Sequence, residues 1–265
     1  MKFVYLTVAF SLTASGGQAT ADLDLRSNCV PHFASAVEGA EILSQKDEFV
    51  QRLSPFDRAA RMKTGKPIST EEFLRFVKGS ATNWSPAEQT KLGAAITALR
   101  PALERLRATF PKKITFVKTT GAEEGHAFYT RDTAIMMPEK ETAAADEESL
   151  RKTIAHEIFH ILSRNNPELR ERLYRLIGFD ACDEIGFPPE VESRKITNPD
   201  APRNDHAIRV KANGREVSVV PILFSSAPNY DPVRGGEFFN YLQLAFVPVS
   251  NKAKLSAKIS SGWMI

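Results

Sequence analysis

The segment Thr153-Ile154-Ala155-His156-Glu157-Ile158-Phe159-His160-Ile161-Leu162 constrains this chain more than any other part of it. Ile154, Ile158, Ile161 and Leu162 recur at helical spacing and demand burial, while His156, His160 and Arg164 share another face. A helix of this kind needs a core against one stripe and a cleft against the other. On it, the two imidazoles emerge one turn apart, where both can bind one zinc ion (Zn2+) at about 2.0–2.1 Å per nitrogen. Glu157 lies one residue round from His156 and can reach a zinc-bound water without binding the metal. Zinc lowers the pKa of such a water, so Glu157 can take its proton during attack on a carbonyl and return it to the leaving amine. The competing reading is an ordinary amphipathic helix with two incidental, partly exposed histidines.

The rest of the chain reads as a globular protein of α+β class. Its 265 residues are 42% hydrophobic and 25% charged, enough for a sizeable core. The 35 Lys and Arg are interspersed among 32 Asp and Glu, so no basic run points to nucleic acid or to an anionic membrane surface. Residues 22–111 are helical in pattern. Ser69-Thr70-Glu71-Glu72 and Ser85-Pro86-Ala87-Glu88 are helix starts, with carboxylates near the positive end of the dipole. Residues 112–265 begin with short strands at Ile114–Val117, Ala127–Thr130 and Thr133–Met137, and an acidic link leads from them into the motif helix. Asn165-Asn166-Pro167 ends that helix, and residues 168–177 form another that stops at Gly178. The four prolines of residues 187–205 indicate a loop. Asn213-Gly214 between two strand-like runs indicates a β-hairpin, and residues 238–249 supply one more strand.

The N-terminus has the pattern of an export signal over residues 1–21. Lys2 precedes an apolar stretch from Phe3 to Ala14, and small residues lead to Ala19-Thr20-Ala21, with cleavage expected before Asp22. The stretch is short for a membrane span, and Arg26-Ser27-Asn28 before Cys29 lacks a lipoprotein pattern. A secreted or periplasmic protein with no membrane attachment after cleavage is therefore expected. Export would put Cys29 and Cys182 in an oxidising compartment, where one disulfide or two free thiols are equally supported.

The extended motif Thr153–Leu162 resembles that of the zincin metallopeptidases, whose signature is H-E-x-x-H between apolar residues. The resemblance implies a small mixed sheet with the motif helix beneath it, His156 and His160 as zinc ligands and Glu157 as general base. Ala134–Met137 then takes the place of the edge strand that pairs with a peptide substrate in extended conformation. No histidine follows His160 until His206, so a gluzincin-like carboxylate is the implied third ligand. Glu184, Glu190 and Glu192 are the nearest carboxylates, with Asp180 and Glu237 behind them, yet none shows the E-x-x-x-D/N pattern of such a ligand. Three readings follow: an exported zinc metallopeptidase, a zinc hydrolase of a non-peptide amide, or a non-catalytic or truncated zincin-fold binding protein without a complete third-ligand site.

Other polar residues have weaker claims. His126, Tyr129 and Arg131 beside the edge strand could contact substrate or a developing oxyanion, though ordinary loop and strand roles suit them better. His206 could serve as a ligand or a transition-state donor, and lone histidines are more often surface or satisfied core groups. His32 has no functional neighbour in sequence. Thr197-Asn198-Pro199-Asp200 reads as a turn. Glu123 and Glu124, adjacent on a presumed strand, point to opposite faces and read as solvated. Oligomeric state leaves no mark on the sequence.

Overall fold

Four of the first five helices start with the same device. The chain opens with strand β1 (Val30–Phe33), then helices α1 (Ala36–Leu43), α2 (Glu48–Arg52), α3 (Pro55–Arg61) and α4 (Thr70–Lys78), a two-residue strand β2 (Ala81–Thr82) and helix α5 (Pro86–Glu104). Ser35, Ser54, Ser69 and Ser85 each accept the N–H three residues on, and Glu38, Asp57, Glu72 and Glu88 reach back to the serine's own N–H. Each such capping box contributes about 1 kcal/mol. The starts expected at Ser69 and Ser85 are therefore present, and α5 continues through Pro101 to Glu104. The computed structural model describes residues 24–249 apart from 188 and 213, without the side chains of 190 and 212. The leader expected over residues 1–21 lies outside the described residues.

The second half begins with β3 (Lys113–Thr119), β4 (Tyr129–Arg131) and β5 (Ala134–Pro138). Helices α6 (Glu139–Ala144), α7 (Glu147–Asn165) and α8 (Pro167–Leu176) follow, and α7 carries the histidine motif. β1 and β5 pair with β3 in parallel, β2 and β4 add antiparallel, and the order is β1-β3-β5-β4 with β2 beside β3. Alternation along the central strands sorts their side chains into two cores. Ile114, Phe116, Ile135 and Met137 face α5 and α7, where Leu92, Ile96, Leu99, Ile154, Ile158 and Ile161 are buried. Val117, Ala134 and Met136 face Leu43, Phe49, Val50, Phe73 and Val77 of α1, α2 and α4. The result is three layers of mixed α and β structure. Each fully buried Ile or Leu contributes roughly 1.5–3 kcal/mol of hydrophobic stabilisation, so the apolar stripe of α7 fixes the helix and turns its histidine face outward.

A second sheet follows. It comprises β6 (Phe179–Ala181), β7 (His206–Ala212), β8 (Arg215–Ser225) and β9 (Leu242–Pro248), all antiparallel in that order, with helix α9 (Pro189–Glu192) between β6 and β7. The expected hairpin joins β7 to β8, with Ala212 opposite Arg215 and Gly214 at φ +74°. Only a residue tolerant of the left-handed region closes so short a turn. A 3-10 turn at Phe238–Tyr241 occupies the start of the strand expected from residue 238.

Three expectations change. The helical N-terminal part also supplies β1 and β2, which border β3. Ala134–Met137 is not an edge: β5 is hydrogen-bonded to β3 on one side and to β4 on the other, and the edge is β4. Glu123 and Glu124 are not solvated but 1% and 4% exposed. They stand in a turn rather than a strand, with Gly121, Gly125 and His126 all at positive φ, so both side chains turn inward.

The disulfide allowed by export is also absent. Cys29 and Cys182 are both free, because Cys29 is sealed in the core beneath α5 while Cys182 packs at the edge of the cluster around Val220 and Val247. Burial, reinforced by Asp24, pushes the Cys29 thiol up to about 11. Native alkylation is expected to modify Cys182 and spare Cys29, with both labelled after unfolding. A protein whose thiols react only after reduction would contradict this.

Candidate metal centre

Helix α7 brings the motif together. Asp146 caps its start by accepting the Ser149 N–H at 2.7 Å, and the residue before Pro167 leaves the helical region at φ −131°, ψ 79°. Between these ends His156 and His160 lie on one face, with their Nε2 atoms 2.9 Å apart and their rings at 82°. Ligand nitrogens on one tetrahedral zinc stand roughly 3.3 Å apart, given Zn–N distances of about 2.0–2.1 Å. At 2.9 Å the two imidazoles are closer than that and within hydrogen-bonding distance of each other, one ring nitrogen donating and the other accepting. Burial lowers the pKa of each against the opposing pull of Asp200, which keeps them neutral near pH 7 with lone pairs available.

Glu157 is buried, and its Oε2 has no hydrogen-bond partner. A buried carboxylate oxygen left unpaired costs free energy and calls for a ligand or a proton. Burial pushes this carboxyl well above its usual range, the charge of Asp200 adds to the shift, and Arg164 opposes it.

The second carboxylate at this point is Asp200. Glu157, His160 and Asp200 each offer a ligand atom, and these atoms lie within 4.8 Å of one another. Asp200 belongs to the turn expected at Asn198-Pro199-Asp200. Its N–H donates to Asn198 Oδ1 at 2.9 Å, and Asn198 bridges to Ala201. Strand β4 holds the side chain, because Thr130 donates its N–H at 2.8 Å and its hydroxyl at 2.6 Å to Asp200 Oδ1. Arg164, one turn past His160, donates to Thr130 Oγ1 at 3.0 Å and to the Asp132 carbonyl at 2.9 Å. The motif helix, the edge strand and the Asp200 turn thus form one hydrogen-bonded unit. Second-sphere bonds of this kind fix the orientation of a metal-binding carboxylate.

The convergent donors, one imidazole and two carboxylates, could hold a metal ion. The convergent trio contains Glu157 and not His156. His156 adjoins this trio through His160, its Nε2 lying 2.9 Å from that of His160.

The carboxylates proposed from sequence as third ligands are used elsewhere. Glu184 pairs with Arg52, Glu192 with Lys195 at 2.9 Å, Asp180 with Arg175 and Arg209 at 3.8 Å, and Glu237 with Lys63 at 2.6 Å. The Glu190 side chain lies outside the described residues. Tyr129 and Arg131 are buried on the opposite face of β4 from Thr130. Tyr129 lies by Glu123, and Arg131 is bound to Asp47 and to the carbonyls of Leu43 and Gln45. His126 pairs loosely with Glu141 and His32 with Glu38. His206 has both ring nitrogens on carboxylates, Asp205 at 2.6 Å and Glu171 at 3.2 Å, and the Asp205 bond raises its pKa. An imidazole held in this way has no lone pair to give a metal.

Sequence reasoning missed Asp200 because it sought a glutamate on a helix, whereas Asp200 sits on a loop forty residues past His160. The only local signal was the turn itself. Comparison of the chain with protein-family models, with curated proteins and with solved structures finds no match.

Proposed function

We propose that this chain is a zinc-dependent hydrolase of a peptide or other amide bond, zincin-like in its arrangement of helix and sheet. The observation that carries the reading is the convergence of His160, Asp200 and Glu157, with His156 turned onto His160. His156, His160 and Asp200 would hold the ion. When bound, zinc supplies a water of lowered pKa and a Lewis acid for the scissile carbonyl. Glu157, buried beside the ligands with one oxygen unpaired, accepts a proton from the attacking water at Oε2 and passes it to the leaving nitrogen. Arg164 and Thr130 keep the carboxylate ligand in place.

The substrate would lie beside β4, not β5. The edge is short, and Asp200 already takes the Thr130 N–H while Arg164 takes the Asp132 carbonyl. An extended peptide therefore finds few free main-chain partners at this point, and its side chains must supply more of the binding. The non-catalytic reading rested on a missing third ligand, a place for which Asp200 is a candidate. Export of the enzyme would follow from the leader pattern of residues 1–21.

The test is hydrolysis of casein and of cell-wall amides by zinc-loaded protein, followed by removal of zinc with a chelator and its restoration. Activity that follows the zinc supports the reading. No hydrolysis of any amide by protein carrying one zinc would favour a binding module.

A further inference from the structure

Asp200 lies on a segment between α9 and β7 with little regular structure, so other elements must place it. Helix α3 grips that segment at three points. The Phe56 N–H donates to the Ser193 carbonyl at 3.2 Å, and Ser54 Oγ donates to the Lys195 carbonyl at 2.6 Å. The third grip, at Thr197, is the densest. Its N–H donates to both oxygens of Asp57 at 3.2 and 3.1 Å, its hydroxyl lies 2.8 Å from Asp57 Oδ2, and Arg61 Nη2 donates to its carbonyl at 3.1 Å. Both backbone polar groups of Thr197 are therefore held by charged side chains, three residues before Asp200.

Those side chains are themselves immobilised. Asp57 and Arg61 are 0% and 2% exposed. Arg61 donates to Asp57 Oδ1 at 2.6 Å and to Glu124 at 2.8 and 2.6 Å, and its guanidinium lies 4.3 Å from the centre of the Phe238 ring. Desolvation makes a buried ion pair a poor source of stability compared with apolar residues of the same volume, so what it adds is a defined geometry. Charge-assisted bonds to both sides of one peptide leave the 197–200 turn little freedom.

We infer that Asp57 and Arg61 are positioning residues for the metal centre, acting through Thr197 to hold Asp200 against Thr130 and in line with His160. The inference rests on the proposed role of Asp200 as a ligand.

The test uses Asp57→Asn and the milder, nearly isosteric Thr197→Val, which removes the hydroxyl alone. Val77→Ala in the second core serves as a control for lost stability without contact to the turn. Zinc affinity is read by competition with a chromophoric chelator, the ligand field by the visible spectrum of the Co2+-substituted protein, and folding by the thermal midpoint. Both variants are expected to weaken zinc by about tenfold or more and to shift the Co2+ bands. The control lowers the midpoint and leaves affinity and spectrum unchanged. Should Asp57→Asn fail to fold, Thr197→Val decides. Wild-type affinity and spectrum in the folded variants, with zinc bound by the wild type, would overturn the inference alone. A wild type that binds no zinc overturns the proposed function with it.

Discussion

Glu157→Gln is expected to slow amide hydrolysis by about 10²- to 10⁴-fold while leaving zinc bound, the range for loss of a general base. Gln has nearly the same shape and keeps a carbonyl oxygen where Oε2 lies unpaired, so the helix and its buried stripe should be undisturbed. What disappears is the ability to take up a proton. The substitution also decides between two readings of the acidic cluster, since Glu157 lies as close to Asp200 and His160 as a ligand would. Lost activity with retained zinc makes Glu157 the base. Loss of both makes it a ligand, and retained activity places the base elsewhere. Zinc content and initial rate, measured on the same preparation, separate the three.

Arg61→Met should cost about 3–5 kcal/mol of folding stability, because it leaves Asp57 and Glu124 buried without their cation. The loss has a pH dependence of definite sign. In the wild type, burial raises Glu124 from its ordinary 4.5 to about 7 against the pull of Arg61. A folded-state pKa above the unfolded one means that the folded protein binds this proton more tightly. The contribution of Glu124 is therefore fully present below about pH 4.5 and is lost as pH rises through about 7. Without Arg61 the carboxyl is raised further, so the deficit of Arg61→Met grows from pH 5 to pH 8. Urea unfolding at several pH values measures it. A deficit below 1 kcal/mol, or one that shrinks as pH rises, would mean that the triad is not sealed from water.

The parts of this protein legible in sequence are those with local causes. The capped starts at Ser69 and Ser85, the break at Pro167, the left-handed glycine of the β7–β8 hairpin and the two faces of α7 each follow from residues within a turn or two. Non-local features were not legible. β1 falls in a stretch that reads as helical until β3, some eighty residues on, offers it a partner. β5 is expected at the edge only from the resemblance of the motif region, and pairing shows β4 outside it. Glu123 and Glu124 look solvated because their partners are distant in sequence or lie across a turn: Arg61, sixty residues away, binds Glu124, and the Tyr129 hydroxyl donates to Glu123. Asp200 belongs to the same class. Nothing near Asn198-Pro199 marks it as a ligand, and its placement depends on Thr130, Arg164 and the grip of α3 on Thr197.

The central claim is that His156, His160 and Asp200 form one metal site, and the most direct measurement is zinc per chain by mass spectrometry. Wild type, His160→Ala and Asp200→Ala would be compared, each after zinc supplementation and removal of loosely held metal. The account predicts about one zinc in the wild type and loss of it in both variants, with each variant still folded by circular dichroism. Full zinc in Asp200→Ala, or none in the wild type, would contradict it.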